Sequence, residues 1–204
     1  MVICFFANGM YSEEDIPVSI CEKIVAVDGG ANFLRKKSIV PHLFVGDADS
    51  VTPQTMEWLK ENNVEIKLFP EEKDEIDLEL ALMMFPEEEK IVYGWQGDRY
   101  DMFLALLHLL KRFKNITLWS SNLLVGYVEG EKVLAAEPGE KWSILPLGGD
   151  AEGVTLEGFK YTLKDALMPI DKPFGVSNVS LERAVKIKVE KGGVVYFRWK
   201  REPS

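Results

Sequence analysis

The sequence predicts an α/β protein with two parts: an N-terminal, mostly parallel sheet with flanking helices, and a smaller C-terminal antiparallel β domain. Two observations predict this fold class. Strand-like runs alternate with helical patterns over the first 120 residues or so. The remaining residues contain only short strand-like runs, separated by Gly, Pro, Asp and Asn. The chain has no internal repeat or long linker, and we place the boundary so that the domains comprise residues 1–122 and 123–204.

The individual elements follow from local composition and spacing. The N-terminal strands are predicted at short β-branched or aromatic runs, namely VICFF, KIVAV, LFV, VEIKLF, KIVYG and NITLW. Helices are predicted near residues 53–62, 74–85 and 98–113, because apolar residues recur there at spacings of three and four. The C-terminal strands are predicted at KVLAAE, WSILPLG, GVTLEGF, AVKIKVE and VVYFRW, with no helix of length.

Composition narrows the classes of partner. With 204 residues, of which 47% are hydrophobic, the chain can bury a sizeable core without disulfides or a structural metal. Its formal net charge of −9 disfavours binding to nucleic acid. No apolar run approaches the roughly 18 residues that span a bilayer, and the N-terminus lacks a basic leader. Cys4 and Cys21 lie in apolar stretches and are predicted to be reduced, buried thiols. We therefore expect a cytoplasmic protein without a membrane partner.

The segment VAVDGGAN runs from an apolar strand into a predicted helix. It contains Asp28, Gly29, Gly30 and Asn32. Paired glycines allow backbone N–H groups to approach a ligand closely, and a helix N-terminus favours phosphate. The alternative is a tight strand-to-helix turn with Asp28 as a cap. Neither of the two common glycine-rich nucleotide loops, GxxxxGK[ST] and GxGxxG, is present.

Two acidic pairs follow. Asp47 and Asp49, in LFVGDADS, come at the carboxyl end of a strand, where open α/β sheets bind ligands. Asp74 and Asp77, in EEKDEIDLELAL, are three residues apart and are predicted to share a face at the start of a helix. The two pairs together predict a metal-binding site. The alternatives are a capped turn for the first pair and, for the second, a helix start with Asp74 as N-cap.

A further polar group precedes the third predicted helix. In GWQGDRYDMFLALL, Arg99 and Asp101 follow two glycines. A guanidinium at this point is placed to bind a phosphate group during transfer. Asp101 is placed to orient the arginine or to bind a polar substrate. The alternative is a surface ion pair of little energetic consequence.

The order of the motifs DGGAN, GDADS, KDEID, GxxGDRYD, LPLG and GVSN resembles the thiamin pyrophosphokinase family across essentially the whole chain. The resemblance implies transfer of pyrophosphate from ATP to thiamin, giving thiamin diphosphate and AMP. It also implies Mg²⁺ as cofactor and a homodimer with shared active sites. By position, four aspartates resemble the metal and phosphate cluster: Asp47, Asp49, Asp74 and Asp77. Asp28 resembles a nucleotide-site residue.

The same resemblance assigns the remaining site residues. Arg99 and Asp101 resemble phosphate-transfer or substrate residues, and Ser177 and Asn178 resemble thiamin contacts. The chain departs from bacterial members at Met102 and Leu106, where those members usually have His and Asn.

Two alternatives to this function remain open. One is a related pyrophosphokinase acting on a hydroxymethylpterin, since the same acidic cluster would serve both reactions. The other is a non-catalytic nucleotide-binding regulatory protein, suggested only by the two departures from the bacterial pattern.

Overall fold

The computed structural model describes residues 1–12, 18–113 and 115–200, and it divides the chain into two compact units. The first unit comprises residues 1–103 and 113–120, and the second comprises residues 104–112 and 121–204. The first is α/β and the second is largely antiparallel β, which confirms the predicted fold class. No helix of the described residues is long and apolar enough to cross a membrane.

A six-stranded parallel sheet forms the centre of the first unit. Its strands are β1 (Val2–Phe6), β2 (Lys23–Val27), β3 (Leu43–Gly46), β4 (Glu65–Leu68), β5 (Glu89–Tyr93) and β6 (Ile116–Trp119). Their spatial order is β6-β5-β1-β2-β3-β4. The central strands are continuous apolar runs rather than alternating ones, because a parallel sheet covered by helices buries both faces. All six strands match runs predicted from the sequence.

Four helices follow strands of this sheet. They are α1 (Gly30–Lys36), α2 (Pro53–Glu61), α3 (Asp77–Met83) and α4 (Tyr100–Arg112). The start of α2 is fixed by the Thr52 hydroxyl, which accepts a hydrogen bond from the backbone N–H of Thr55 at 3.2 Å. The predicted positions of α2 and α4 are confirmed to within two residues.

The predicted start of α3 was wrong. Its N-cap is Ile76, whose backbone is extended, and Asp77 is the first helical residue. Asp74 therefore precedes the helix and does not cap it. The spacing argument failed because it assumed that both aspartates were already helical.

The prediction of reduced cysteines was also wrong. Cys4 and Cys21 form a disulfide. Cys4 lies on β1 and Cys21 lies just before β2, the strand paired with β1. Their Cα atoms are 5.6 Å apart, which is within the usual range for a disulfide. Adjacency of two strands is a tertiary feature, so local composition could not reveal the bond.

Apart from residues 104–112, which belong to α4, the second unit is formed by antiparallel strands, and the described part beyond residue 120 contains no helix. Its strands are β7 (Leu123–Ala135), β8 (Lys141–Pro146), β9 (Ala151–Glu157), β10 (Leu163–Met168), β11 (Asn178–Val179) and β12 (Ala184–Trp199). The first half of β12 lies between β7 and β9, and its second half pairs with β7 and β8. A register shift between Val189 and Val194 accompanies this change of partner.

Candidate active site

Three carboxylates meet at the carboxyl edge of the parallel sheet. Asp28 directly follows β2, and Asp47 and Asp49 follow β3, the strand paired with β2. One oxygen atom from each of these side chains lies within 4.8 Å of the others. Carboxylates this close repel one another unless a cation compensates their charge, and oxygen ligands are those that Mg²⁺ prefers. The donor set therefore fits a hard divalent cation.

Asp28 is the most buried of the three carboxylates. The residue is only 8% exposed, and its Oδ1 atom accepts no hydrogen bond from any residue that the structure describes. Burial raises the pKa of Asp28, and the charges of Asp49 and Asp77 raise it further. A buried oxygen without a donor fits the role of a metal ligand. The sequence predicted Asp28 as a nucleotide-site residue, whereas the structure places it with the acidic pair after β3.

The turn that holds Asp47 and Asp49 is organised by its own backbone. Asp47 Oδ1 accepts a hydrogen bond from the Asp49 N–H at 3.1 Å, across Ala48, whose φ of 67° is left-handed. This hydrogen bond is the largest contribution to the lowered pKa of Asp47. A Cβ atom at Gly46 would lie 3.1 Å from the Cα of Asp28. Glycine therefore allows the ends of β2 and β3 to approach closely enough for the carboxylates to meet.

Asn32 supports the same turn from α1. Its Nδ2 donates to the carbonyl oxygen of Ser50 at 2.8 Å, and its Oδ1 accepts from the N–H of Thr52 at 3.1 Å. The amide thus fixes the segment between Asp49 and the start of α2. The sequence predicted a nucleotide contact for Asn32, and the structure shows in addition that this side chain positions the acidic turn.

Gly29 and Gly30 are explained by close packing within the chain. A Cβ at Gly30 would overlap the backbone carbonyl group of Phe6, so glycine is required where the end of β1 packs against the start of α1. A Cβ at Gly29 would instead meet the end of the Asn8 side chain. The predicted contact of the two glycines with the nucleotide stays a prediction.

The second acidic pair is separated in the structure. Asp77 lies 3.1 Å from the ammonium of Lys73, which also donates to Asp47 Oδ2 at 3.3 Å. Burial raises the pKa of Asp77, and the contact with Lys73 opposes that rise. Asp74 is exposed and lies outside the group of three carboxylates. Sequence reasoning missed Lys73, although it is the single cation within an acidic run, EEKDEID.

Arg99 and Asp101 form an exposed ion pair. Arg99 Nε and Nη2 donate to the Asp101 carboxylate at 2.9 Å and 2.6 Å, and the two side chains are 74% and 64% exposed. The hydrogen bond from Arg99 lowers the pKa of Asp101 to about 2. Both residues lie at the start of α4, where the sequence predicted them. No hydrogen bond or ion pair joins this pair to the acidic cluster among the residues described.

Ser177 and Asn178 lie in the second unit at the start of β11. Ser177 is exposed and has a left-handed φ of 58°. Asn178 is 5% exposed, and its amide exchanges hydrogen bonds with the backbone N–H and carbonyl oxygen of Tyr161 at 3.0 Å and 2.8 Å. Asn178 Oδ1 also accepts from the N–H of Val179 at 2.9 Å. Asn178 therefore anchors the segment before β10, whereas the Ser177 side chain faces solvent.

Family models match both parts of the chain. Residues 18–119 match the family model of the thiamin pyrophosphokinase catalytic domain, and residues 132–194 match that of the thiamin pyrophosphokinase vitamin B1 binding domain. The thiamine pyrophosphokinase of Bacillus subtilis is 26% identical over 183 residues, which cover 85% of this chain and 86% of that protein. Thiamine pyrophosphokinase 2 of Oryza sativa is 22% identical over 186 residues, which cover 76% of this chain and 70% of that protein.

Solved structures share the fold. A thiamin pyrophosphokinase family protein from Enterococcus faecalis superposes with a TM-score of 0.84 at 27% identity, over 98% of this chain and 99% of that one. The Bacillus subtilis enzyme superposes with a TM-score of 0.85 at 24% identity, over 99% of this chain and 100% of that one. These matches support neither the pterin enzyme nor the regulatory protein. The chain therefore belongs to the thiamin pyrophosphokinase family and is an ATP-dependent diphosphotransferase that converts thiamin to thiamin diphosphate.

Proposed function

We propose that the enzyme binds Mg²⁺ through Asp28, Asp47 and Asp49 while it transfers the pyrophosphoryl group of ATP to thiamin. The convergence of the three carboxylate oxygens within 4.8 Å carries this proposal. The convergence occurs at the carboxyl edge of a parallel sheet, which is where open α/β folds bind their ligands. Asp77 lies close enough to influence the pKa of Asp28 and completes the acidic surroundings. Asp74, which is exposed, stays a predicted member of the cluster on resemblance alone.

The reaction requires one bond to form and one to break. The thiamin hydroxyl oxygen bonds to the β-phosphorus, the bond from that phosphorus to the α,β-bridging oxygen breaks, and AMP leaves with the electron pair. Mg²⁺, when bound, supplies neutralisation of the polyphosphate charge. The hydroxyl proton passes to an aspartate, for which the raised pKa of Asp77 is favourable.

The remaining predicted residues are assigned roles consistent with their surroundings. We propose that Arg99 releases Asp101 and binds phosphate oxygens, because a guanidinium pairs as well with phosphate as with carboxylate. Ser177, which is exposed, is proposed to contact thiamin directly. Asn178 is proposed to act through the Tyr161 backbone that it holds.

Two further parts of the proposal concern assembly and location. We propose a homodimer in which the acidic cluster of one chain and Ser177 of the other serve the same thiamin molecule, as the family resemblance implies. We also propose that the enzyme acts in the cytoplasm, where ATP is available. The Cys4–Cys21 disulfide removes one argument for that location, since reduced cysteines had been expected.

The first prediction tests the metal site and the reaction together. With ATP, Mg²⁺ and thiamin, the purified protein should release AMP only when thiamin is present. Asp49→Asn should lower kcat at saturating Mg²⁺ by at least about 100-fold, because a carboxylate that neutralises transition-state charge is lost. Nucleotide chromatography measures AMP, and circular dichroism checks the fold.

Asp165→Asn is the matched control. Asp165 is an exposed aspartate in the second unit, and asparagine tolerates its left-handed φ of 49°. This variant should retain wild-type turnover. Release of ADP would refute pyrophosphoryl transfer, release of AMP with a hydroxymethylpterin alone would favour the alternative substrate, and normal turnover of Asp49→Asn would refute the metal assignment.

A further inference from the structure

A lysine ammonium lies inside the acidic cluster and contacts two of its carboxylates. Lys73 Nζ is 3.3 Å from Asp47 Oδ2, 3.1 Å from Asp77 Oδ1 and 2.9 Å from the carbonyl oxygen of Pro70. The ammonium donates hydrogen bonds to Asp47 Oδ2 and to the Pro70 carbonyl oxygen, and its contact with Asp77 Oδ1 is an ion pair. Its surroundings therefore resemble those of a small cation held by oxygen ligands.

This contact is well shielded from solvent. The Lys73 side chain is 12% exposed, and those of Asp47 and Asp77 are 13% and 20% exposed. The pair of Lys67 and Glu65 on β4, in the same unit, is different, since its side chains are 42% and 56% exposed. A charge contact that excludes most of the water is much less weakened by solvent than a surface pair.

The Lys73 ammonium and a divalent cation would both use the carboxylate of Asp47. Asp47 Oδ1 already accepts the backbone N–H of Asp49, and Asp47 Oδ2 accepts Lys73. A divalent cation that uses Asp47 must therefore share its carboxylate with the ammonium or displace it. Two like charges at one carboxylate repel each other, so each weakens the binding of the other.

We propose that Lys73 is a tethered counter-ion, which neutralises Asp47 and Asp77 in the metal-free enzyme and competes with the divalent cation for the cluster. This inference rests on the proposed metal site. Lys73 is a positioning residue, because it acts on the reaction through the carboxylates that it contacts. Its charge offsets the repulsion among the carboxylates around it before the metal arrives and keeps the affinity for free metal low.

This competition affects whether the metal binds as a free ion or together with the nucleotide. A polyphosphate brings its own negative oxygens, to which a lysine ammonium binds readily. Lys73 can then exchange a carboxylate for a phosphate oxygen, and the metal gains Asp47. The competition therefore disfavours metal alone and favours metal that is bound to the nucleotide.

The test measures Mn²⁺ binding to the whole protein in the absence of nucleotide, by electron paramagnetic resonance of free Mn²⁺. Lys73→Gln should bind Mn²⁺ at least about tenfold more tightly than wild type, because a competing unit charge has been removed. Lys73→Arg, which restores the charge, should return the affinity towards that of wild type. Lys67→Gln, which removes an exposed lysine of the same unit, should leave it unchanged.

Thermal unfolding supplies an independent readout. In the presence of a chelator, Lys73→Gln should unfold at a lower temperature than wild type, because the carboxylates then repel one another without compensation. Added Mn²⁺ should raise its melting temperature more than that of wild type, since tighter binding to the folded state stabilises it more. A lysine with a purely structural role would lower stability without increasing metal affinity.

The outcomes separate this inference from the proposed metal site. If Asp49→Asn abolishes Mn²⁺ binding while Lys73→Gln binds no more tightly than wild type, the site stands and the counter-ion is refuted. If neither wild type nor Lys73→Gln binds Mn²⁺ in this assay, both ideas fail. Tighter binding in Lys73→Gln that Asp49→Asn suppresses, with wild-type affinity in Lys67→Gln, supports both.

Discussion

Three aspartates of the site have shifted pKa values whose directions follow from their contacts. The pKa of Asp47 is lowered, chiefly by the backbone N–H of Asp49 and then by Lys73. The pKa values of Asp28 and Asp77 are raised, chiefly by burial. The surroundings of Asp47 therefore favour its ionised form, whereas burial disfavours the ionised forms of Asp28 and Asp77.

The second prediction is that Asp28→Asn stabilises the metal-free protein. The pKa of Asp28 is higher in the folded state, so ionisation disfavours folding. Its contribution to stability is fully present below the ordinary value of 3.8 and is lost as pH rises through the folded-state pKa. The variant should therefore be more stable than wild type at pH 7, because it carries no charge at this buried position. Urea unfolding in a chelator measures this difference.

The pH dependence provides the control for this prediction. The stabilities of Asp28→Asn and wild type should converge below pH 3.8, where the carboxyl group is protonated in both states. Saturating Mg²⁺ and ATP should reverse the order, because only wild type retains the proposed ligand. A variant that is less stable than wild type at pH 7 in chelator would show that Asp28 is a structural cap.

The sequence indicated carboxylates that the structure brings together but not the side chains that support them. Asp47 and Asp49 were predictable because they follow an apolar strand, at the edge where open α/β sheets bind ligands, and because a second acidic pair follows them. Asn32 bonds to Ser50, which is 18 residues away in the sequence. Lys73 bonds to Asp47, which is 26 residues away. Local composition carries no information on such contacts, and a lysine in an acidic run is usually solvated.

At the scale of secondary-structure elements, the Cys4–Cys21 disulfide joins β1 to the segment just before its partner β2, close to the edge opposite the acidic site. Cys4 is completely buried and packs in the core of the first unit with Phe6, Ala26 and Leu34. A covalent link here restricts the unfolded chain between the two strands without changing the carboxyl edge. The bond is therefore expected to affect stability rather than catalysis.

The third prediction is that loss of this disulfide lowers the free energy of unfolding and leaves turnover intact. The cysteines are 17 residues apart. A loop of that length corresponds to a stabilisation of at most about 3 kcal/mol in the chain-entropy model. Urea unfolding with and without reductant should show the loss in wild type. Thiol titration of the denatured protein, purified without reductant, should detect no free cysteine.

The double variant Cys4→Ala, Cys21→Ser serves as the control for reductant. It should be less stable than oxidised wild type and insensitive to reductant, because it has no disulfide to break. Two titratable thiols in wild-type protein, together with identical unfolding curves in both conditions, would contradict the disulfide.

Local sequence patterns predicted the elements better than their ends. The helix α2 was located by its apolar spacing and by Thr52 followed by Pro53, which are typical of a helix start. The strand β12 was predicted as two strands because Gly192 and Gly193 interrupt the apolar pattern. In the structure the chain continues through a register shift and changes partner from β9 to β8. Pairing with neighbouring strands, which is not local, decides this continuity.

At the scale of the whole molecule, the residues predicted to bind thiamin and those predicted to bind metal belong to different units. The acidic cluster lies in the first unit, and Ser177 and Asn178 lie in the second.

The fourth prediction concerns the number of chains in the native enzyme. The native mass should be twice 23.1 kDa by light scattering if the enzyme is a homodimer. A mass of one chain under assay conditions would contradict the dimer.

The choice of variants for a shared-site test follows from the geometry of Asn178. Its buried amide holds the Tyr161 backbone, so Asn178→Ala would disturb folding as well as binding. Ser177 is a better target because it is exposed and has a φ of 58°, which asparagine tolerates. Ser177→Asn places a larger side chain at the proposed thiamin contact without straining the backbone, and it should abolish turnover with thiamin.

The test combines Ser177→Asn with Asp49→Asn after subunit exchange by partial denaturation and refolding. If each site uses the acidic cluster of one chain and Ser177 of the other, a mixed dimer has one site with both lesions and one intact site. Random pairing makes about half of the dimers mixed, so turnover should recover to about a quarter of the wild-type level. Mass spectrometry of the intact dimers confirms exchange. If each site is built from a single chain, every site keeps one lesion, so confirmed exchange without recovered turnover would exclude shared sites.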